Sequence, residues 1–234
     1  MKLPKIDYPL HNIEIPSTKK KHKFRPFLVK EEKLLLMAKE SEDVSDYLAA
    51  MKQVINNCSV DKNFDVNKIA TFDLEYIFLK LRAFSVDSMI KIAYVDNEDQ
   101  QTYEFEVDLN TVKVLFPDKA DNNIKLTETS GILMKYPSSI LYDDREFING
   151  TEEYMFELII KCVDKLYDGD QIYEISEYKK EEIVEFLENL NIKTYENIKN
   201  FLVSTPKLYH CIKYKNSLGH DRKIEFNSLN DFFS

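Results

Sequence analysis

The chain has 234 residues, 44% hydrophobic and 31% charged, a composition that suits folded domains and excludes wholesale disorder. Its formal net charge of −9 opposes contact with nucleic acid except through a local basic patch, and no apolar run reaches the ~20 residues of a membrane-spanning helix. Only four glycines are present, Gly131, Gly150, Gly169 and Gly219, too far apart to build a phosphate-cradling loop, which argues against a nucleotide-binding enzyme.

The first nine residues carry lysine and proline without the apolar core of a secretory signal, so the expected compartment is the cytoplasm. Short alternating segments at His11–Ile15 and Lys21–Arg25, bracketed by Pro9, Pro16 and Pro26, predict edge strands. A helix is predicted after Pro26, and its run Leu34, Leu35, Leu36, Met37, Ala38 predicts that it is mostly buried. Ser41, followed by Glu42 and Asp43, caps a second helix with Val44, Tyr47, Leu48, Met51 and Ile55 on one face. A third helix, Asp73–Phe84, repeats the pattern with Leu74, Ile77, Phe78 and Leu81.

Met89–Val95 and Thr102–Asp108 alternate around the polar segment Asp96–Gln101, which predicts an antiparallel hairpin with Tyr103, Phe105 and Val107 inward and Glu104, Glu106 and Asp108 outward. Further strands are expected at Thr111–Phe116, Asn123–Glu128 and Ile132–Tyr136. After a polar break at Tyr142–Gly150, Thr151 caps a helix carrying Met155, Leu158, Ile159, Cys162 and Leu166. Helices at Glu181–Leu190 and Thr194–Val203 follow, then a hairpin pairing Lys207–Tyr214 with Arg222–Phe226, and an apolar end at Leu229–Phe233. The resulting expectation is an α+β protein. Residues 1–148 form helices packed on a mostly antiparallel sheet, and residues 149–234 form a smaller helical unit with a terminal hairpin.

Candidate chemistry is sparse. Glu104, Glu106 and Asp108 share one strand face at about 7 Å spacing, which suits a divalent metal in principle and a solvated strand more commonly. Asp164, Asp168 and Asp170 around Gly169 lack the spacing of a calcium loop and read as a helix exit and turn. His210 and Cys211 are neighbours on a strand, so they face opposite ways and cannot share a zinc ion. Cys58, Cys162 and Cys211 are odd in number and scattered, and read as free thiols. The basic run Lys19–Arg25 reads as a solvated strand or turn, with nucleic-acid binding as its alternative. No cofactor is expected. Fourteen tyrosines and fifteen phenylalanines exceed ordinary usage and suit a dense core together with protein-binding surfaces.

Several strings carry a more specific signal: LPKIDYP at Leu3–Pro9, PST at Pro16–Thr18, FRPFLVKEEK at Phe24–Lys33, FDLEY at Phe72–Tyr76, KLRA at Lys80–Ala83, MKYP at Met134–Pro137 and IEFNSLNDFF at Ile224–Phe233. In these the chain resembles the T4-type phage baseplate hub family, well over its first 140 or so residues and again at its end, while residues 145–220 match only in pattern. The resemblance implies a protein made in the cytoplasm of the infected bacterium. There it would help to build the tail baseplate hub through contacts with other hub proteins, as an assembly chaperone or as a subunit retained in the virion. It implies no catalytic residues. Arg25, Phe27, Lys30, Lys33 and Arg82, with the terminal Leu229, Phe232 and Phe233, are the expected partner-binding residues. A homo-oligomer is compatible with this reading. A metal-dependent enzyme using Glu104–Asp108 and a nucleic-acid-binding module using Lys19–Arg25 stand as its alternatives.

Overall fold

A computed structural model of the chain describes residues 6–40, 44–117, 121–139 and 152–233. Among them are six α-helices and eleven strands, every strand pair antiparallel, and the fold class is α+β as expected. No helix is long and apolar enough to cross a membrane. The chain divides into two compact units, the first formed by residues 1–115 with 207–234 and the second by 116–206.

The first unit begins with a hairpin of β1 (His11–Glu14) and β2 (Lys21–Phe24), followed by α1 (Val29–Glu40), α2 (Val44–Cys58) and α3 (Thr71–Ser85). The third helix buries Phe72, Leu74, Ile77, Phe78, Leu79, Leu81 and Ala83, an apolar surface reaching most of the way round, as suits a helix enclosed on several sides. Its buried Asp73 accepts hydrogen bonds from the backbone N–H and hydroxyl of Ser17, which fasten the turn between β1 and β2 to the first turn of α3. Burial raises the Asp73 pKa, and the two Ser17 hydrogen bonds oppose that shift.

Two hairpins complete this unit. In one, β3 (Met89–Val95) pairs in full register with β4 (Thr102–Asp108). Tyr103, Phe105 and Val107 are half-buried or buried while Glu104 and Glu106 are exposed, as the alternation predicts. In the other, β10 (Lys207–Lys215) pairs with β11 (Asp221–Phe226) on one edge and with β5 (Lys113–Leu115) on the other, giving the order β11-β10-β5. The hairpins are clasped at their tips. Buried Asp96 accepts hydrogen bonds from the Tyr214 hydroxyl and from Arg222 Nε at 3.0 Å, and Asp99 accepts from Ser217 N at 2.9 Å and from the Tyr103 hydroxyl at 2.6 Å. Behind these bonds the rings of Tyr94, Tyr103 and Phe105 surround Tyr214.

The pairing of β10 with β5 places the terminal hairpin in the first unit, which departs from the division at 148 and 149 expected from the sequence. Backbone ladder bonds between residues about ninety apart leave no sequence signature, whereas a polar break does. The second unit is also less helical than expected. Its helix α4 (Glu152–Cys162) stops four residues before Leu166, which lies in a strand. A four-stranded meander of β6 (Asn123–Lys125), β7 (Ser130–Met134), β8 (Val163–Asp168) and β9 (Gln171–Glu174) forms one layer. The helices α5 (Lys180–Glu188) and α6 (Ile192–Val203) join α4 around a core of Ile132, Met134, Ile159, Val163, Leu187, Ile198 and Phe201. The segment read as a helix exit is therefore a hairpin, turned at Gly169 with φ +58°. The proposed caps at Ser41 and Thr151, with Glu42 and Asp43, and the break at Tyr142–Gly150 lie outside the described residues.

Gly131 in β7 stands directly opposite Tyr167 in β8, and the phenol ring lies across it. A Cβ at this position would meet ring carbons of Tyr167 at 2.7–2.8 Å. Tyr167 in turn donates its hydroxyl to Asn123 Oδ1 at 2.8 Å. Gly131→Ala should displace the ring and break that bond, costing about 1–3 kcal/mol, read as a lowered melting temperature with a retained circular dichroism spectrum.

Candidate functional site

Helix α1 is held by a buried charge pair as well as by partly buried apolar residues. Arg25, just after β2, sends Nη2 to Glu31 Oε1 at 2.9 Å and Nη1 to Glu31 Oε2 at 3.2 Å, a two-pronged pair on a carboxylate that is fully buried. The same carboxylate accepts the Leu28 backbone N–H at 2.9 Å, which satisfies a donor at the start of the helix. Arg25 Nη1 also donates to the Pro26 carbonyl at 2.9 Å and lies 3.7 Å from Cys58 Sγ at the end of α2. Burial works to raise the Glu31 pKa, but the hydrogen bonds from Arg25 and Leu28 outweigh it, and the net shift is downward.

With Glu31 facing inward, successive residues turn by 100° and the opposite side of α1 faces outward. Leu34, Leu35 and Ala38 are half-buried, whereas Val29, Leu36 and Met37 are 74%, 53% and 69% exposed. The expectation of a mostly buried helix is thus overturned: five consecutive apolar residues encircle a helix, and only some of them can meet a neighbour. The exposed apolar residues share their face with exposed Glu32, Lys33 and Glu40, and with Lys30, whose Nζ lies 3.6 Å from Glu31 Oε1. Three exposed apolar side chains among charged residues of both signs on an outer helix face suit a docking surface.

The expected partner-binding residues fall in three places. Lys30 and Lys33 lie on this outer face. Arg25 and Phe27 do not: Arg25 is taken up by Glu31, while Phe27 donates its backbone N–H to Ser85 Oγ and packs its ring 5.9 Å from that of Phe78. Leu229 and Phe232 are buried, with Phe232 stacked on Phe226 at 5.1 Å, so the apolar chain end docks back on its own fold. Phe233 meets Arg82 of α3, whose guanidinium lies 5.2 Å from the ring centroid. Sequence reasoning missed Val29, Leu36 and Met37 as surface residues. The signal lay in Glu31, whose inward position fixes the helix rotation, although a carboxylate is not read as buried from sequence.

The other candidates give little chemistry. Glu104, Glu106 and Asp108 lie on the outer side of β4, and among the described residues no three His, Cys, Asp or Glu side chains converge as metal ligands. The basic run forms β2, where Lys21 faces Glu14 at 3.9 Å and His22 approaches Asp61 at 3.2 Å. His210 contacts Thr111 across the sheet, and all three cysteines are free thiols. Burial pushes the thiols of Cys58 and Cys162 up to about 12, which suppresses the thiolate needed for catalysis.

The model of one protein family, described as T4 bacteriophage base plate protein, matches residues 8–234. No curated protein and no solved structure matches the chain.

Two outcomes follow from this geometry. Glu31→Gln should destabilise the protein by about 3 kcal/mol, because it leaves the Arg25 charge without its partner. The wild-type advantage should be full above the ordinary carboxylate range and should vanish as pH falls through the lowered Glu31 pKa, which denaturation as a function of pH would read. Glu75 on α3 has the opposite sign. Burial, with Asp231 adding repulsion, raises its pKa to about 7, so native stability should decline as pH rises from about 4.5 to 7. Glu75→Gln should melt higher than the parent at pH 8 and close to it at pH 4.5.

Proposed function

We propose that this chain, which belongs to the T4 bacteriophage base plate protein family, acts in assembly of the baseplate hub through protein contacts made by the outer face of α1. Membership makes it a phage baseplate protein, and the hub role is our reading. The single observation that carries it is the row Val29, Leu36 and Met37, exposed beside Lys30 and Lys33 on a helix whose orientation the Arg25–Glu31 pair fixes. A fold that uses a buried charge pair to hold aliphatic side chains outward presents a ready contact for another protein. Lys30 and Lys33 supply part of the polar rim of that contact, and half-buried Arg82 with Phe233 a separate feature.

On this reading the protein works without turnover in the cytoplasm of the infected bacterium, alongside other hub proteins. It leaves before the particle matures if it is a chaperone and stays in the tail if it is a subunit. The metal-enzyme and nucleic-acid alternatives draw no support from the carboxylates of β4 or the lysines of β2, which are disposed as ordinary strand faces.

Tagged protein expressed during infection should co-purify with hub proteins, and comparison with the proteins of mature particles separates the chaperone from the subunit. Leu36→Glu with Met37→Glu should lose those partners while keeping the parent melting temperature, since both positions are exposed. Recovery without any tail protein, or undiminished recovery by the double variant, would overturn the proposal.

A further inference from the structure

The second unit holds a concavity that the proposed role does not use. It lies between the inner face of its sheet and α5, has a volume of about 450 Å³, and is walled by Leu126, Leu166, Tyr173, Ile175, Tyr178 and Phe186 among others. That volume falls within the range of sites that enclose a ligand. Tyr178 is 41% exposed, which leaves its ring accessible from outside.

The charged residues that wall this hollow are all acidic. Asp168 stands two residues beyond Leu166 on the same face of β8, and Glu182 belongs to the first turn of α5. No lysine, arginine or histidine is among the described residues that wall it. Glu182 Oε2 accepts the Lys179 backbone N–H at 2.9 Å, which leaves Oε1 for a ligand. The imbalance extends outward, since residues 164–188 contain nine carboxylates against three lysines, a net of −6 out of −9 for the whole chain. Lys165 and Lys180 pair with Glu174 and Glu157, so Lys179 is the one lysine of this stretch without an ion pair among the described residues.

Aromatic rings complete the chemistry. Those of Tyr173 and Tyr178 stand 6.4 Å apart with 58° between their planes, two inclined walls, and Phe186 adds a third ring from α5. Ring faces attract a cation and offer apolar surface to the methylenes that carry it. Inclined rings beside carboxylates thus select a cationic group on an apolar stem and reject an anion. We propose that the concavity binds a different protein through an arginine or lysine side chain carried on an apolar segment, the segment lying against Leu126, Leu166 and Phe186 and the charge meeting Asp168 and Glu182. Arginine suits it best, because a planar guanidinium stacks on aromatic faces and meets a carboxylate with two donors. A cation alone would not cover the apolar walls, whereas aliphatic neighbours in a peptide would. The choice of a protein as occupant rests on reading the chain as one that works through protein contacts, and it gives those contacts a second surface besides α1.

Titration of the nitrogen-15-labelled full chain with acetyl-Leu-Arg-Leu amide, followed by NMR, tests the site. The peptide should shift the amide signals of Leu126, Tyr178 and Phe186 to saturation, and the same peptide with citrulline in place of arginine should bind at least ~10-fold more weakly. Asp168→Asn with Glu182→Gln should abolish that discrimination and keep the parent melting temperature, because Asn-Gly still suits the turn at Gly169 and the glutamine oxygen still accepts the Lys179 N–H. Tyr178→Leu, which keeps an apolar side chain and removes the ring, should weaken the arginine peptide about 3-fold. No shift, shifts confined to other residues, or equal affinity for the two peptides would overturn the inference. Argininamide binding as tightly as the peptide would make the occupant a free cation, and wild-type self-association that the charge variant abolishes in sedimentation velocity would make it a second copy; either result would overturn the partner proposed. The hub reading is judged separately by co-purification: tail proteins recovered without peptide binding would overturn this site alone, and peptide binding without any tail protein would overturn the hub reading alone.

Discussion

The carboxylate of Glu31 is the constraint on which the surface of the first unit depends. It is fully buried, so it has to be matched, and Arg25 matches it through two hydrogen bonds while Leu28 supplies a third donor. That arrangement leaves α1 one rotation about its axis, the one that brings Glu31 inward. Val29, Leu36 and Met37 then face outward as a geometric consequence. Because apolar residues encircle this helix, their burial alone does not choose a rotation, and the ion pair decides which of them face outward.

Elsewhere the first unit also relies on carboxylates at points where separate pieces of chain meet. Asp73 joins a turn to a helix through Ser17, and Asp96 and Asp99 join two hairpins at their tips. Each accepts several hydrogen bonds at once, which suits an oxygen pair with about four lone-pair sites. Aromatic rings fill the space behind, Tyr94, Tyr103 and Phe105 around Tyr214, and Phe226 against Phe232. Much of the aromatic excess noted in the sequence is therefore spent inside the fold.

Local features were legible in the sequence and long-range ones were not. The alternation of β3 and β4, the apolar stripe of α3 and the terminal hairpin could be read because each follows a short period. The hairpin of β8 and β9 could have been read as well: Asp168-Gly169 is a strong turn signal between β-forming residues, but the apolar run from Met155 extends a helical pattern over it. The pairing of β10 with β5 and the inward rotation of Glu31 have no local signature, since both depend on partners supplied by distant or polar residues. In the candidate surface, Lys30 and Lys33 were found because they belong to a recognisable string. Leu36 and Met37 beside them were assigned to the core because they belong to an unbroken apolar run.

The discontinuity of the first unit bears on the order in which the chain acquires structure. Residues 116–206 are contiguous and carry their own core, so all their strands and helices have been synthesised before residue 207 is added. The first 115 residues emerge earlier yet lack β10 and β11, which complete their sheet, and Leu229 and Phe232, which bury against it. The segment that comes out first is thus the one finished last, and the final 28 residues act as its closing piece. A nascent chain of this protein therefore holds an incomplete first unit until residues 207–234 have been added and have emerged.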